Sequence, residues 1–302
     1  MRSMEYIIGV DSGGTKTEAI VYDLAGNQLQ RVMTGFGNML VDAEQGLLNI
    51  KTAIQTVLMN RAAEKCRLLV LGLAGMDSGG LKEILAEELA VFQVPLVLLN
   101  DGQLAHYALL KGEAGILLIA GTGSVSIGRR QKDWYRVGGW GHLFGDEGSA
   151  YDIGKCAIQQ VLADYDDNRP PSLLTKKLLL HFQVATILEL VKLAYRLTKD
   201  QLAELAKIVS EVAETEIAAR TLLHEAGVKL AILVEKTAKK MPYSAVVNVG
   251  LNGSVIEHNP FVRQAFFEYL RHCSFQCNFI EKNSSSAKGA LYFYLKNGAV
   301  ET

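Results

Sequence analysis

A chain of 302 residues, 49% hydrophobic and 21% charged, is long enough for two domains and has ample apolar residues for their cores. A net charge of −1 without a basic cluster excludes the electrostatic footprint of a nucleic-acid-binding protein. No stretch approaches roughly eighteen consecutive apolar residues, and the first predicted strand follows the N-terminus directly. We therefore expect no membrane partner, no signal peptide and a cytoplasmic location.

The chain begins with a strand–turn–strand pattern. An apolar run over Tyr6–Val10 predicts a buried strand that stops at Asp11, and a second strand is predicted over Thr17–Tyr22. The tip between them reads Ser12-Gly13-Gly14-Thr15-Lys16. Its two glycines permit positive φ values and let a ligand approach the backbone.

This hairpin tip has the composition of an anion site. Consecutive exposed N–H groups, helped by the hydroxyls of Thr15 and Thr17, form a concavity that typically takes phosphate. Asp11, fixed at a strand end, could hold Mg²⁺ through water, because Mg²⁺ is usually bound by one or two carboxylates plus phosphates. An ordinary hairpin with a Gly-Gly turn is the alternative at this point.

Strands and helices alternate after the first hairpin, which is the α/β pattern. In open sheets of this kind ligands bind at the carboxyl ends of the strands, where Asp11, Asp77 and Asp101 would lie. The predicted strands are Leu29–Met33, Leu68–Leu73 and Val94–Leu99, and the predicted helices cover residues 43–64, 80–91 and 103–110.

A second copy of the hairpin pattern occupies residues 115–128. An apolar strand leads into the turn Gly121-Thr122-Gly123-Ser124, and a further strand follows to Gly128. Two such hairpins about a hundred residues apart indicate an internal duplication. We therefore expect two similar domains that face each other across a cleft, each with one phosphate turn.

The second half continues with a glycine-rich loop. Residues 138–151 contain five glycines together with Trp140, His142, Asp146 and Glu147. Because the helical spacing resumes at Ser149, these acids would lie at a helix start. Residues 172–240 are mostly helical and resemble an insertion into the duplicated core.

The remaining elements lead to a third glycine turn. A strand over Val246–Val249 opens onto Gly250-Leu251-Asn252-Gly253-Ser254, whose glycines would allow a flat purine or ribose close to the backbone. Helix 260–271, an extended segment over 275–280 and a last helix over 287–297 complete the chain. The four cysteines, Cys66, Cys156, Cys273 and Cys277, are too scattered for a disulfide framework, so we expect buried reduced thiols.

These turns suit ATP and a hydroxyl acceptor. A Walker A loop is absent, and the first turn returns as a strand where a dinucleotide fold would place a helix. Phosphoryl transfer to a hydroxyl needs a carboxylate that orients the acceptor and takes its proton, and Asp101 is our candidate. The alternatives are that Asp101 only caps a helix or that Asp77 is the base. Side chains suited to sugar hydroxyls are Asn38, Trp140, His142, Asp146 and Glu147, with Trp140 as a core residue the competing interpretation.

The motifs in this order resemble the sugar kinase, heat-shock protein and actin superfamily of ATPases. Within it they resemble the BadF/BadG/BcrA/BcrD ATPase family, in its N-acetylglucosamine kinase branch. The string Gly139-Trp140-Gly141-His142, followed by Gly145-Asp146-Glu147-Gly148-Ser149-Ala150-Tyr151, is similar to that branch almost position for position. The resemblance covers the whole chain, more weakly over residues 160–240.

This resemblance implies an α/β fold of two duplicated ribonuclease H-like domains (the actin-like ATPase fold), with an interdomain cleft and a helical insertion in the second domain. The expected domains are residues 1–112, joined by a C-terminal helix over 287–302, and residues 113–286. It also implies a homodimer that transfers phosphate from ATP, with Mg²⁺, to the 6-hydroxyl of an amino sugar.

The resemblance further implies roles for individual residues. Asp101 matches the catalytic aspartate, and Asp11 is expected to hold Mg²⁺. The residues expected to bind ATP are Gly13, Gly14, Thr15, Lys16, Gly121, Thr122, Gly123, Ser124, Gly250, Gly253 and Ser254. Those expected to contact the sugar are Asn38, Asp101, Thr122, Gly139, Trp140, Gly141, Asp146 and Ala150.

One departure leaves the sugar open. Animal members of the branch carry an aromatic residue shortly after the asparagine that Asn38 matches, whereas Met39 and Leu40 follow here. Part of the pocket wall therefore differs. N-acetylglucosamine is the expected acceptor, with glucosamine and N-acetylmuramic acid as alternatives.

Other classes of function are weighed on single features. An activator ATPase of the 2-hydroxyacyl-CoA dehydratase type shares the fold but needs an iron–sulfur cluster, and only Cys273 and Cys277 form a close pair. A sensing module has no need for a base such as Asp101. A kinase-like repressor is disfavoured because no DNA-binding helix pair precedes Glu5.

Overall fold

The computed structural model describes residues 4–59, 61–62, 65–76, 80–241 and 246–298. The chain divides into two compact units, each with its own sheet. The first unit runs to Ala114 and takes up the chain again at Lys282, and the second is Gly115–Glu281. The predicted cleft, homodimer and cytoplasmic location stay predictions.

The strands of the first unit are β1 (Tyr6–Ser12), β2 (Thr17–Asp23), β3 (Gln28–Thr34), β4 (Cys66–Leu73) and β5 (Leu96–Asn100). Those of the second unit are β6 (Gly115–Ala120), β7 (Ser124–Arg130), β8 (Asp133–Gly138), β9 (Val246–Asn252) and β10 (Gln276–Glu281).

The helices are α1 (Ala43–Leu58), α2 (Leu81–Leu89), α3 (Asp101–Leu109), α4 (Ala150–Asp166), α5 (Leu173–Phe182), α6 (Ile187–Ala194), α7 (Lys199–Val212), α8 (Ile217–Lys240), α9 (Ser254–His258), α10 (Pro260–Arg271) and α11 (Gly289–Asn297). Within the described residues, none of these helices is long and apolar enough to cross a membrane.

The two sheets have the same topology. The first has the strand order β3-β2-β1-β4-β5 and the second the order β10-β9-β6-β7-β8. In each, an antiparallel three-stranded meander is extended by two strands parallel to its first strand. The duplication inferred from the two hairpins, and the α/β class, are confirmed.

The register of the first sheet brings three strand ends together. Ser12 lies opposite Leu73, and Leu73 lies opposite Asn100. Asp11 therefore sits one residue before the sheet edge on β1, and Asp101 one residue after it on β5. The central strand β1 is buried on both faces, with Ile7, Ile8 and Val10 fully inaccessible, which explains its continuous apolar run.

Several predicted boundaries are wrong. Helix α1 ends at Leu58, six residues early, because Met59 turns to extended backbone with a ψ of 129°. Strand β9 continues through Gly250 to Asn252, where the sequence predicted a turn. The extended segment predicted over 275–280 is strand β10, which begins at Gln276.

Helices α4 to α8 lie between β8 and β9 of the second unit, and Gly154 brings two of them into direct backbone contact. A Cβ built on Gly154 of α4 would lie 1.9 Å from the carbonyl oxygen of Leu202 on α7. The start of α7 is therefore held close to the start of α4, where the glycine-rich loop ends.

We expect Gly154→Ala to destabilise the protein although alanine favours a helix interior by about 1 kcal/mol over glycine. The new methyl group meets a backbone oxygen that cannot rotate away, and overpacking of this kind costs about 1–3 kcal/mol. Urea unfolding measures the change. The matched control is Gly121→Ala, whose Cβ has no atom within 4 Å; equal stability of the two variants would contradict the close packing.

Candidate functional site

The tip of the first hairpin is exposed and supported from below. Gly14, Thr15 and Lys16 are exposed, and the Gly13 N–H donates to the Lys16 carbonyl at 3.0 Å. The Gly37 N–H donates to the Gly13 carbonyl at 3.0 Å, so the loop after β3 braces the tip.

Two details of this tip differ from the sequence expectation. The four-residue tip turns without a positive φ at either Gly13 or Gly14. A Cβ on Gly14 would nevertheless meet no atom within 4 Å, so the backbone stays open to a ligand. Thr17 is buried and its hydroxyl bonds that of Ser12 at 3.0 Å, which leaves Thr15 as the exposed hydroxyl.

Asp11 has an unusual electrostatic environment. Burial raises the pKa of its carboxyl to about 6, and the neighbouring carboxylates of Asp101 and Glu18 add to the increase. Lys282 and a hydrogen bond with Ser286 oppose it without cancelling it. The structure thus brings Asp11 and Asp101 close enough to repel each other.

Asp101 is not the cap of α3. Asn100 caps the helix by accepting from the Gln103 N–H at 2.7 Å, and the Gln103 side chain accepts from the Asn100 N–H at 3.1 Å. This is a complete capping box. Asp101 is the first helical residue, is exposed, and accepts from the Gly102 N–H at 2.9 Å. The helix-cap interpretation of Asp101 is therefore wrong. Its rival Asp77 lies outside the described residues.

Asn38 lies beside the end of β4. A Cβ on Gly75 would be 3.7 Å from the Asn38 side-chain oxygen and 2.6 Å from Leu40. That oxygen also accepts from the Leu40 N–H at 3.0 Å, which orients the amide. Met39 is buried in the core and Leu40 is 58% exposed, so of these two residues Leu40 shapes the accessible surface.

The second turn divides into an exposed half and a buried half. Thr122 is exposed and Gly121 and Gly123 are partly so. Ser124 is buried, its N–H donates to Asp146 at 3.1 Å and its hydroxyl donates to the Glu147 carbonyl at 2.7 Å. Both donors expected to meet phosphate at Ser124 are thus used inside the protein.

This turn also supports the start of α4. The N–H groups of Ala150 and Tyr151 donate to the Gly121 and Thr122 carbonyls at 2.9 and 3.3 Å. The Ser149 hydroxyl caps the helix by accepting from the Asp152 N–H at 3.2 Å. The Gly121 and Thr122 carbonyls therefore point toward the helix, and the Gly121 N–H donates within the turn to the Gly123 carbonyl at 3.0 Å.

Asp146 joins the turn to helix α7. It is 3% exposed and takes a positive φ of 63°. One carboxylate oxygen accepts from Ser124, and the other lies 2.7 Å from the Lys199 ammonium. A Cβ on Gly123 would come within 3.0 Å of both side chains, so the glycine is required by this pair. Sequence reasoning placed Asp146 on the sugar and missed Lys199.

The glycine-rich loop presents its large side chains outward. Trp140 is 67% exposed, which excludes the core interpretation, and the Arg136 guanidinium stacks 4.9 Å from its ring. Gly139 and Gly141 have positive φ values of 71° and 84°. His142 is exposed and its ring meets the edge of Tyr151 at 5.3 Å.

A cavity of about 730 Å³ opens beside the second turn. Its lining joins three predicted residues, Thr122, Ala150 and Ser254, to one face of α7. That face was missed by sequence reasoning, although its small residues recur at helical spacing. The lining residues on α7 are Asp200, Ala203, Glu204, Ala206, Lys207, Ser210 and Glu211.

The third glycine turn is shorter than expected. Gly250 is buried within β9, between Ile280 and Leu117 of the neighbouring strands, and does not reach the cavity lining. Gly253 caps α9 with a φ of 110°, and a Cβ there would lie 2.5 Å from the Ala120 carbonyl oxygen. The close approach at Gly253 is therefore to β6, and it seats the start of α9 beside the second turn.

The environment of Cys273 and Cys277 favours the protonated thiol. Burial raises the pKa of Cys277 to about 11 and also raises that of Cys273. Metal and cluster ligands are thiolates, which this environment disfavours. All four cysteines are free of disulfides.

Two sheets of one topology, each with a glycine turn after its first strand, define the actin-like ATPase fold. The chain belongs to the BadF/BadG/BcrA/BcrD ATPase family, whose model matches residues 8–291. It is 28% identical over 301 residues to an N-acetylmuramic acid/N-acetylglucosamine kinase of Clostridium acetobutylicum, covering 95% of this chain and 97% of that protein. It is 31% identical over 208 residues to an N-acetyl-D-glucosamine kinase of Dictyostelium discoideum, covering 64% and 65%.

Solved structures confirm the fold. A Chromobacterium violaceum protein with a provisional N-acetylglucosamine kinase assignment superposes with a TM-score of 0.77 at 24% identity, over 96% of this chain and 98% of that one. A ROK family glucokinase from Streptomyces griseus, solved with glucose and AMPPNP, superposes with a TM-score of 0.57 at 15% identity, over 95% of this chain and 97% of that one.

The first unit's residues fit a magnesium ion. Among the described residues no three His, Cys, Asp or Glu side chains gather as a metal site. Asp11 and Asp101 nevertheless form a mutually repelling pair, which a divalent cation would relieve. Mg²⁺ typically takes one or two carboxylates and completes its shell with waters and phosphates.

The raised pKa of Asp11 makes a stability prediction. Between about pH 4 and 6 the folded protein binds more protons at Asp11 than the unfolded chain does, so this carboxyl lowers stability as the pH rises through 6. Asp11→Asn should therefore raise the free energy of unfolding above pH 7, by roughly 3 kcal/mol at most at about 1.4 kcal/mol per pKa unit. Below pH 4 the gain should vanish.

Thermal unfolding across pH 4–8, without nucleotide or metal, measures this difference. The control Asp133→Asn changes an exposed acid at the start of β8 and should leave the profile unchanged. A stability gain for Asp11→Asn that is the same at every pH would show that the carboxyl does not titrate with a raised pKa.

Proposed function

We propose that this protein is an ATP-dependent kinase that phosphorylates the 6-hydroxyl of an N-acetylhexosamine, most of all N-acetylglucosamine. The observation that carries the proposal is the placement of Asp101. It follows the end of β5 close to Asp11, and Asn100, not Asp101, caps α3. A carboxylate beside an acid that suits Mg²⁺ is what phosphoryl transfer to a hydroxyl requires.

The nucleotide is assigned to the second unit. Its cavity of about 730 Å³ is within the range of small-molecule sites and has an apolar wall of Ile153, Ala203 and Val255 for the adenine ring. Acidic side chains on α7 suit the ribose hydroxyls. Thr122 of the Gly121–Gly123 turn lines the edge of this cavity, and this turn takes the phosphates.

Asp101 acts on the acceptor. Its carboxylate accepts a hydrogen bond from the 6-hydroxyl, orients the oxygen, and takes its proton as the new O–P bond forms and the bond to the β-phosphate oxygen breaks. ADP leaves with that bonding pair. A Mg²⁺ ion held by Asp11 would neutralise charge that develops on the phosphates.

Each unit offers groups that suit a sugar. Asn38 offers an oriented amide beside the end of β4, and exposed Trp140 offers an aromatic face next to the amides of Gly139 and Gly141. The named relatives act on amino sugars, namely N-acetylmuramic acid and N-acetylglucosamine. N-acetylmuramic acid is the second candidate, since the relative that covers 95% of this chain takes both.

Activity should appear only with an amino sugar. We expect ATP consumption with N-acetylglucosamine, less with N-acetylmuramic acid and glucosamine, and none with glycerol or with ATP alone. Phosphorus NMR of the product should show a phosphate ester on the 6-position. If the protein is folded and binds ATP but phosphorylates none of the tested sugars, the proposal is rejected.

Asp101→Asn separates the base from the fold. The substitution keeps size and hydrogen bonding but removes the proton acceptor, and such losses are typically ~10²–10⁴-fold in kcat. ATP affinity should be unchanged. Glu44→Gln, an exposed acid in the first turn of α1, is the control and should keep full activity. A kcat for Asp101→Asn within about threefold of wild type would remove this residue from the mechanism.

A further inference from the structure

A lysine of the helical insertion lies directly on the second turn. The ammonium of Lys199 would be 3.0 Å from a Cβ built on Gly123, and it lies 2.7 Å from the Asp146 carboxylate. The turn itself, Gly121-Thr122-Gly123-Ser124, has no charged side chain. Lys199 therefore brings a full positive charge to a turn that otherwise offers only backbone and hydroxyl donors.

The position of Lys199 is built into the fold. Lys199 is the first residue of α7, behind the cap Thr198, whose hydroxyl accepts from the Gln201 N–H at 3.3 Å. The Gln201 side chain in turn accepts a hydrogen bond from the Thr198 N–H at 2.9 Å. The contact between Gly154 and the Leu202 carbonyl then fixes this helical turn against α4.

A lysine in this position needs an explanation. The first turn of a helix carries the positive end of the dipole, so a cation there is unfavourable and an acid is preferred. Asp146 compensates from a buried site with a strained backbone, at a φ of 63°. The side chain of Lys199 is still 32% exposed beside Gly123. An ammonium has three donors, and Asp146 occupies one side of it.

Helix α7 carries charges of opposite sign at two different places. Asp200 and Glu204, on the same helix, line the 730 Å³ cavity, whereas Lys199 lies at the turn. Acids on the cavity side suit ribose hydroxyls, and a cation at the turn suits phosphate.

We propose that Lys199 binds the di- or triphosphate of the nucleotide at the Gly121–Gly123 turn, with Asp146 holding its ammonium in place. This inference rests on the proposed nucleotide site and deepens it. It makes α7, which lies in the region where the family resemblance is weaker, a contributor to phosphate binding. The competing interpretation is that Lys199 only neutralises the buried Asp146.

Two substitutions and their combination distinguish these interpretations. Lys199→Met keeps length and removes charge, and Asp146→Asn keeps the acceptor for the Ser124 N–H and removes its charge. Binding of ATP, ADP and adenosine is measured by calorimetric titration without sugar, with circular dichroism as the check of folding. Lys176→Met, an exposed lysine on α5, is the control.

If Lys199 binds phosphate, Lys199→Met should weaken ATP and ADP about 10- to 100-fold, leave adenosine unchanged, and reduce the salt dependence of ATP binding. The double variant should stay as weak as Lys199→Met. Asp146→Asn alone should weaken ATP less than Lys199→Met does, because the ammonium keeps its charge and loses only the carboxylate that holds it in place.

A double variant that recovers wild-type ATP affinity would overturn the inference, since Lys199 would then only balance Asp146. Equal losses for adenosine and ATP would overturn it too. Wild-type protein that binds neither ATP nor adenosine would instead reject the proposed nucleotide site itself, which is a separate failure.

Discussion

The second unit depends on the buried carboxylate of Asp146. It fixes the turn by accepting from the Ser124 N–H and fixes helix α7 by pairing with Lys199. Ser124 is drawn inward, the Gly121 and Thr122 carbonyls accept from α4, and the Gly121 N–H donates to the Gly123 carbonyl, so bonds within the protein fix the shape of the turn. A turn that is held by so many bonds before a ligand arrives needs little reorganisation to bind one, and such preorganisation is the usual source of electrostatic stabilisation.

The duplicated topology carries different charges in its two copies. The first sheet ends in carboxylates, with Asp11 pushed to a raised pKa by burial and by Asp101. The second ends in an uncharged turn beside the ion pair of Asp146 and Lys199. A phosphoryl-transfer enzyme needs acids for a metal ion and the acceptor proton, and donors for phosphate oxygens.

The sequence was sufficient for the features that depend on local pattern. Buried strands, the glycine turns and the repeated hairpin follow from apolar runs and punctuation by Gly and Asp, and the sheets confirm the duplication. Three features needed the fold. Asn100 rather than Asp101 caps α3 because the capping box depends on where β5 ends. Gly250 is part of a strand because β6 and β10 pair with it on both sides. Lys199 reaches Gly123 across 76 residues of sequence through the packing at Gly154, a contact that no local signal announces.

The central claim is that the Gly121–Gly123 turn binds the phosphates of ATP, and Gly121→Val tests it most directly. A Cβ at this position meets no protein atom within 4 Å, so the variant should fold with wild-type stability, unlike a substitution at Gly123, which would strike Asp146 and Lys199. A branched side chain there would occupy the space that the phosphates need. We predict that titration with ATP and Mg²⁺ shows binding lost in Gly121→Val while adenosine still binds; wild-type ATP affinity in this variant would contradict the account.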